Sequence, residues 1–430
     1  MNEEKYIRQL NDELQSYGGL NAVEKPLVVS ALLLKMQNKG VSVADRGRKI
    51  IEASKTLNTV SPELGQTPLE YFKQFLSKHF SGYAGDLLSR LYGGAYSYAG
   101  TDGHSLGIVL TPEHIAELCS ELLELKAGDK VIEPCCGTGR FLVTAMKYAG
   151  DNVQGVELQA DLHEIARANV LLHGGERSVV TFGDFFREEL SGQGFTAGFM
   201  NPPYSQKITE LAFMKRLLEV LEPGGRAAIV VPVSTMIGKT KADKQLKGEI
   251  LAGHTLEGVI SLNKETFYGV GTVPCIAVFT AGQPHPKEKL CKFVNFEDDG
   301  FEVKKHVGLV ASGRAEERRQ YLLECWRGER TDYRTKFMVR SEVEAGDEWL
   351  HPFYYYNDEL PTEQDFASTI ADYLTFEADM IFHGRGYLFE GGERDAERQD
   401  KDAEPRGGGT SECGQTAEEA PEQLRIVFDE

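Results

Sequence analysis

The sequence predicts an α/β fold with a doubly wound, mostly parallel sheet of seven strands, preceded by a helical domain. From residue 111 onwards, short apolar runs alternate with amphipathic helical segments, which is the pattern of successive βα units. Three of these runs end in an acidic residue, at Glu133, Glu157 and Asp184. In open α/β folds, ligands bind at the carboxyl ends of the parallel strands. We therefore expect a ligand site built from these acids.

The composition of the 430-residue chain is typical of a globular protein, with 41% hydrophobic and 26% charged residues. No apolar run is long enough to cross a membrane, and the acidic start differs from a signal peptide. Seven scattered cysteines, without CxxC pairs or zinc spacing, predict a reduced, cytoplasmic, metal-free protein. The net charge of -19 argues against tight nucleic-acid binding by the isolated chain. A nucleic-acid enzyme with this charge needs a local basic groove, a basic partner, or both.

Four segments are expected along the chain. Residues 1–106 form a helical domain, because the segment 26–36 is apolar nearly all round and 68–80 is amphipathic. This domain is either a bundle that packs on the next domain or a docking or DNA-clamping domain. The α/β domain spans 107–285, and a mixed and helical extension spans 286–383. Residues 384–430 hold 13 acidic and 6 basic residues with few apolar ones, which predicts a disordered acidic tail.

The α/β domain begins with a helix and a glycine-rich turn. Thr111-Pro112 predicts a helix start, with Thr111 as the N-cap and proline at the first helical position. The first strand then ends at Glu133 and leads into a turn of small residues. The glycines of this turn allow a ligand to approach the backbone, and the following helix favours negative charge at its start. A Walker lysine and G-x-G-x-x-G spacing are both missing. The turn therefore suits an amino-acid-bearing nucleoside better than a mononucleotide phosphate, although a plain strand-to-helix turn stays possible.

Two further acids end the next strands. Glu157 lies about 20 residues beyond the glycine turn, where α/β nucleoside sites bind ribose hydroxyls. Asp184 follows the third strand and can accept a hydrogen bond from an adenine amine. Either acid alone is commonly a turn residue, but three acids at successive strand ends, Glu133, Glu157 and Asp184, indicate a ligand site.

The segment Asn201-Pro202-Pro203-Tyr204 follows the fourth strand. Its two prolines make a stiff, extended loop. The Asn201 side-chain oxygen and the Pro202 carbonyl can accept the two N–H groups of an exocyclic base amine, and the Tyr204 ring can stack on the base. These groups suit a site that presents a nucleobase amine to an electrophilic methyl group. The alternative is a proline-rich surface turn.

Two later stretches carry possible contacts to nucleic acid. Four lysines between 239 and 247 fit either phosphate contacts or a solvated helix face. Phe267 and Tyr268 lie in a glycine-containing loop between two strands. They fit either the walls around a base taken out of its stack or aromatic packing of the core.

In this order, the motifs resemble those of the adenine-specific DNA methyltransferases, and most closely the modification subunits of type I restriction–modification systems. The matches are Thr-Pro before the first strand, Glu-Pro-x-x-Gly-x-Gly-x-Phe-Leu, Asn-Pro-Pro-Tyr, and Phe-x-Gly-x-Gly before the last strand. The resemblance covers roughly residues 20–300. It implies that S-adenosylmethionine is the cofactor and that the exocyclic N6 amine of adenine in DNA accepts the methyl group.

The resemblance also assigns roles to residues of this chain. In the cofactor site, Glu157 holds the ribose, Asp184 holds the adenine, and the turn from Glu133 to Gly139 holds the methionine end. The residues predicted to bind the cofactor are Thr111, Glu133, Cys135, Gly137, Thr138, Gly139, Glu157 and Asp184. Those predicted to hold the target base are Asn201, Pro202, Pro203, Tyr204 and Phe267.

Two departures from the family pattern fall in the predicted cofactor site. Val109-Leu110 precedes Thr111 where the family usually has an aromatic residue, and Glu133-Pro134-Cys135-Cys136 stands where Asp-Pro-Ala-Cys is more usual. Neither removes a group that the chemistry requires.

The same motifs also bear on the partners of the chain and on alternative functions. Because no stretch resembles a separate target-recognition domain, the predicted partners are DNA and a specificity subunit, or else the N- and C-terminal regions have an accessory role in reading DNA. Two alternatives stay open: a methyltransferase for protein glutamine or RNA guanine amines, and a non-catalytic assembly or DNA-binding subunit.

Overall fold

The computed structural model describes residues 2–80, 87–97, 110–204, 207–267, 271–304, 308–356 and 363–383. Met1–Asn357 forms one compact unit, and Asp358–Glu430 forms a second. The predicted boundaries near residues 106 and 285 stay predictions. The predicted acidic tail, 384–430, lies outside the described residues.

The first unit starts with helices that surround one buried helix. As predicted, the apolar segment near residue 30 is a helix with buried sides, because it carries apolar residues all round and must be covered by neighbours. The amphipathic segment predicted at 68–80 is also a helix, with the same bounds. The helices are α1 (Asn2–Ser16), α2 (Glu24–Met36), α3 (Asp45–Ala53), α4 (Lys55–Asn58), α5 (Pro68–Phe80) and α6 (Leu87–Ser97), with a short 3-10 helix at Val41–Val43.

A single large sheet forms the centre of the rest of this unit. Among the described residues it has nine strands, in the order β11-β8-β6-β7-β5-β4-β1-β2-β3. Its strands are β1 (Val131–Pro134), β2 (Val153–Glu157), β3 (Val179–Phe182), β4 (Ala197–Met200), β5 (Arg226–Pro232), β6 (Thr255–Leu262), β7 (Pro274–Thr280), β8 (Cys291–Phe296) and β11 (Met338–Ser341). Two further strands, β9 (Phe301–Lys304) and β10 (Gly308–Ala311), form a separate hairpin.

The sheet confirms the predicted α/β fold class. Strands β3, β2, β1, β4 and β5 are parallel neighbours, as are β6 and β8. Strand β7 runs antiparallel between β5 and β6, and β11 runs antiparallel beside β8. Strands β8 and β11 extend the sheet beyond the seven predicted strands. β11 has the sequence Met-Val-Arg-Ser, which is half polar, so it lacks the apolar run that indicates a short strand.

Helices cover both faces of the sheet. Successive residues of a strand point to opposite faces, and Val131 and Ile132 of β1 accordingly belong to two different cores. One core contains Phe141 and the other contains Phe213. The helices are α7 (Glu113–Leu122), α8 (Arg140–Ala149), α9 (Ala160–Leu172), α10 (Glu210–Val220), α11 (Val233–Ile237), α12 (Lys241–Gly253), α13 (Ala315–Arg327) and α14 (His351–Tyr354).

Helix α9 joins the N-terminal helices to the sheet. Its apolar residues share a third core with α1, α2, α5 and α6. The buried carboxylate of Glu164 on α9 accepts hydrogen bonds from the backbone N–H groups of Arg46 and Gly47, each at 2.9 Å. The first N–H groups of a helix have no partner within the helix itself. Glu164 therefore caps α3, a helix of the N-terminal domain. The N-terminal helices therefore pack directly on the α/β domain.

Three local predictions are wrong. Helix α7 has Pro112 as its N-cap without a side-chain cap, because the Thr111 hydroxyl has a different partner. Lys247 is fully buried rather than exposed on a helix face or free for phosphate, and its ammonium donates to three backbone carbonyls. The segment 308–326 is not all helical, because its first four residues pair with β9 as β10.

The second unit contains one described helix, α15 (Glu363–Phe382). Its large apolar side chains, including Phe366, Ile370 and Leu374, are more than half exposed. In the described part of the chain, no helix is long and apolar enough to span a membrane.

Candidate active site

A cavity of about 670 Å3 opens at the carboxyl ends of the central parallel strands. It is lined by both motifs that the sequence singled out, the glycine turn after β1 and the Asn-Pro-Pro corner after β4. Three of the predicted site residues, Gly139, Tyr204 and Phe267, are absent from its lining. The predicted residues that line the cavity are Thr111, Glu133, Cys135, Gly137, Thr138, Glu157, Asp184, Asn201, Pro202 and Pro203.

The turn after β1 has an unusual backbone. Gly137 and Gly139 have φ angles of +56° and +76°, which side-chain-bearing residues rarely adopt. A Cβ on Gly139 would also lie 3.2 Å from the Cβ of Ala166 on α9. Cys135 has φ +61° and lies in the same left-handed region despite its side chain. Such strain tends to concentrate at functional sites.

Two buried carboxyl groups lie at this turn. Glu133 accepts one hydrogen bond of 3.2 Å from the Leu142 N–H, and burial raises its pKa well above the usual value. Glu157 accepts from the N–H groups of Gly137 and Gln159, each at 2.8 Å. Burial raises the pKa of Glu157 as well, and these backbone donors oppose the rise. Glu157 therefore ties the glycine turn to the end of β2.

Asp184 and several apolar side chains form another wall. The Asp184 carboxylate accepts from the Phe186 N–H at 3.0 Å and remains partly exposed beside Arg187. Leu158 is 65% exposed although it is a large apolar residue at the cavity. Phe185 and Phe186 also line the cavity. An aromatic ring bound here would find apolar walls and one carboxylate acceptor.

The Asn201 amide is held at both ends. Its Nδ2 donates to the Thr111 hydroxyl oxygen at 3.2 Å, and its Oδ1 accepts from the Tyr204 hydroxyl at 2.8 Å. Arg140 at the start of α8 donates to the Thr111 carbonyl at 3.0 Å. This chain of hydrogen bonds links the glycine turn to the Asn-Pro-Pro corner and fixes which way the amide points.

Tyr204 and Phe267 pack against each other beside the corner. Their ring centroids lie 6.4 Å apart in an edge-to-face arrangement, and both rings are nearly buried. Burial raises the pKa of the Tyr204 phenol, so it remains a protonated donor to Asn201. Tyr268, the second aromatic of the predicted loop, lies outside the described residues. The stacking roles predicted for Tyr204 and Phe267 stay predictions.

Several residues at the cavity were missed from the sequence. The pair Phe185-Phe186 follows Asp184 directly, so an apolar pair after a strand-end acid was a usable signal. Arg140 lies between two residues of the glycine motif and was overlooked because the motif leaves its position free. Lys207 and Ile208 had no signal of their own.

Among the described residues, no group of three or more His, Cys, Asp or Glu side chains can hold a metal ion.

Comparisons with known proteins agree with this geometry. Residues 83–364 match the model of the N-6 DNA Methylase family. The chain is 39% identical to the type II restriction enzyme and methyltransferase RM.BcgI of Heyndrickxia coagulans, over 90% of this chain and 72% of that protein. These matches do not favour the protein-glutamine, RNA-guanine or non-catalytic alternatives.

Two solved structures share the fold. One is the methyltransferase subunit of a type I restriction–modification system from Streptococcus thermophilus. It has a TM-score of 0.58 at 20% identity, over 82% of this chain and 80% of that one. The other is described as a putative class I S-adenosylmethionine-dependent methyltransferase from Listeria monocytogenes. It has a TM-score of 0.53 at 16% identity, over 75% of this chain and 98% of that one. The chain belongs to the N-6 DNA methylase family, the adenine-specific DNA methyltransferases of restriction–modification systems.

Proposed function

We propose that this chain transfers a methyl group from S-adenosylmethionine to the N6 amine of an adenine in DNA, and that Asn201 holds that amine. The observation that carries the proposal is the shared cavity, which is lined by Asn201 and by the glycine turn. The proposed donor and acceptor sites therefore line the same open cavity.

The cavity suits S-adenosylmethionine in size and chemistry. Its volume of about 670 Å3 lies within the usual range of ligand pockets. Glu157 and Asp184 offer carboxylate acceptors for ribose hydroxyls and an adenine amine, while Leu158 and Phe186 offer apolar surface. Glu133 is a buried acid, and among the described residues its carboxyl group accepts one hydrogen bond, from the Leu142 N–H. A buried carboxyl of this kind suits a cationic ligand, which the methionine end of the cofactor supplies.

The Asn-Pro-Pro corner would position the acceptor. S-adenosylmethionine, when bound, supplies an electrophilic methyl group on a sulfonium. The Oδ1 of Asn201 and the Pro202 carbonyl would accept the two N–H groups of the adenine amine and orient its nitrogen. As the nitrogen takes the methyl group and the carbon–sulfur bond breaks, the nitrogen becomes positive, and these fixed acceptors would stabilise that charge until one of its protons leaves to solvent. The stiffness of the two prolines keeps the acceptors in place before the base arrives.

The decisive test is Asn201→Ala. Loss of a fixed transition-state contact lowers turnover by about 10²- to 10³-fold, so methyl incorporation from labelled cofactor into DNA should fall by that amount. The affinity for S-adenosylhomocysteine, measured by calorimetry, should stay within about threefold of wild type. If incorporation into DNA were undiminished in this variant, the assignment of Asn201 would be wrong.

We further propose that a separate specificity subunit supplies target recognition. Two observations support a partner. The chain carries a net charge of -19, whereas DNA binding rests on clustered Lys and Arg. Helix α15 also exposes large apolar side chains, which commonly mark interaction surfaces.

The partner can be tested by expressing the chain alone and together with the products of neighbouring genes. DNA binding and methylation are then compared at a fixed salt concentration, with Ile370→Asp on α15 as the variant. We expect the isolated chain to bind DNA weakly and without sequence preference, and the variant to lose the co-purifying partner. Tight, sequence-specific binding by the isolated chain would contradict a required partner.

A further inference from the structure

A buried pair of hydroxyls connects the N-terminal helices to the glycine turn. Ser89 of α6 and Thr138 of the turn lie 2.5 Å apart between their hydroxyl oxygens. The exposed fractions of the two residues are 1% and 2%. Asn169 on α9 lies beside them, and its Nδ2 donates to the Thr138 carbonyl oxygen at 3.2 Å. Thr138 is thus held through both its side chain and its backbone.

Because of where Thr138 lies in the turn, these contacts determine the path of the backbone there. It stands between Gly137 and Gly139, which both have positive φ angles. Glycine restricts its backbone little, so local preference does not fix the path of this turn. Glu157 holds the turn from the β2 side through the Gly137 N–H, and Ser89 and Asn169 hold it from the opposite side. The turn that lines the cavity is therefore fixed largely by contacts from other elements.

Packing of the N-terminal helices fixes Ser89 itself. Its neighbours Leu87, Leu88 and Leu91 on α6 belong to the core that these helices share with α9. A hydroxyl placed by such a core has little freedom to move. The position of α6 and the shape of the glycine turn are thus coupled through the bond between the two hydroxyls and through Asn169, whose Nδ2 also lies 3.5 Å from the Ser89 hydroxyl oxygen.

We propose that Ser89 is a positioning residue of the cofactor site, supplied by the N-terminal helices. It holds the Thr138 hydroxyl and so keeps the glycine turn in the shape that binds the methionine end of S-adenosylmethionine. The inference rests on the proposed function of the cavity. It makes the N-terminal helices part of the cofactor site, in addition to any role they have in contacting DNA or a partner.

The test compares Ser89→Ala and Ser89→Cys in the full chain. Loss of the hydroxyl should weaken S-adenosylhomocysteine binding by about threefold to tenfold, as expected for one buried hydrogen bond. The KM for S-adenosylmethionine should rise by a similar factor, while kcat at saturating cofactor stays within about twofold. Cysteine keeps a weak donor of similar size and should give an intermediate loss. Equal binding by wild type and Ser89→Ala would overturn the proposal.

Ser30→Ala is the matched control, because Ser30 is also a fully buried serine of the N-terminal helices. Its hydroxyl donates to the Leu27 carbonyl within its own helix, at 2.7 Å. It should alter thermal stability without altering the affinity for S-adenosylhomocysteine. If Ser30→Ala weakened binding as much as Ser89→Ala, the effect would reflect general destabilisation and the proposal would fail.

A double-mutant cycle tests the contact itself. In a Thr138→Val background, Ser89→Ala should weaken binding clearly less than it does in wild type, because the bond between the two hydroxyls is already lost and only other contacts of Ser89, such as that with Asn169 at 3.5 Å, remain. Additive losses would show that Ser89 does not act through Thr138. A wild-type chain that fails to bind S-adenosylhomocysteine would instead overturn the proposed function, so the two failures are distinguishable.

Discussion

Replacing Thr111 by valine should impair the chemical step more than cofactor binding. The change keeps the shape of the side chain and the backbone carbonyl that Arg140 contacts, and it removes only the hydroxyl. That hydroxyl accepts from Nδ2 of Asn201 at 3.2 Å, while the Tyr204 hydroxyl holds the other end of the amide at 2.8 Å. Without this hydroxyl, the amide loses its described contact at the Nδ2 end.

The size of the effect follows from one neutral hydrogen bond. Such a bond contributes about 0.5–1.5 kcal/mol, and each 1.36 kcal/mol changes a rate about tenfold. We therefore expect kcat for Thr111→Val to fall about twofold to tenfold. The assay is single-turnover methyl transfer from labelled S-adenosylmethionine to DNA, with both substrates saturating.

Thr111→Ser is the matched control, because it keeps the hydroxyl and loses only the methyl group. It should retain most of the wild-type rate. If serine and valine reduced the rate equally, the hydroxyl would not be the relevant group. If valine raised only the KM for S-adenosylmethionine, Thr111 would belong to the cofactor wall, and the reasoning about the Asn201 amide would be refuted.

Two further predictions concern titratable groups. Burial raises the pKa of Glu133, so the folded chain binds its proton more tightly than the unfolded chain does, and stability from this group falls as pH rises above about 4.3. In urea unfolding without cofactor, the free energy of unfolding of Glu133→Gln should therefore fall less between pH 5 and 8 than that of wild type. The same variant should bind S-adenosylhomocysteine more weakly. Burial, followed by the charge of Arg140, lowers the pKa of His114 to about 4. His114 is neutral when folded, so stability should fall as pH drops from about 6.5 to 4, by up to about 3 kcal/mol more than in His114→Phe. An identical pH dependence in wild type and variant would contradict either prediction.

Much of the site could be predicted because short sequence patterns carry its chemical groups. A strand that ends in an acid, a glycine turn and an asparagine before two prolines are each short patterns with direct backbone consequences. Because parallel strands present their carboxyl ends at one edge, the order of these patterns along the chain was enough to expect them near one another. The cavity lined by Glu133, Glu157 and Asn201 has this arrangement.

What could not be predicted depends on contacts between distant residues. Ser89 and Thr138 are separated by 49 positions, and serine in a helix has no pattern that indicates its partner. Lys247 looked like part of a charged surface, yet three carbonyls beside it accept from its ammonium. A lysine in a polar segment is exposed so often that only the packed structure reveals this exception.

Thr111 shows the same limit most clearly, and it yields a last prediction. A threonine before proline at a helix start predicts an N-cap, but helix α7 has no side-chain cap. Thr240, in contrast, caps α12 in a reciprocal pair with Asp243. Loss of such a cap costs about 1 kcal/mol. Thr240→Val should therefore lower the free energy of unfolding by about that much and leave methyl transfer unchanged, whereas Thr111→Val should lower methyl transfer with little loss of stability. If both variants lost stability alike and Thr111→Val kept full activity, Thr111 would be an ordinary helix cap, and the hydrogen bond to Asn201 would have no part in the reaction.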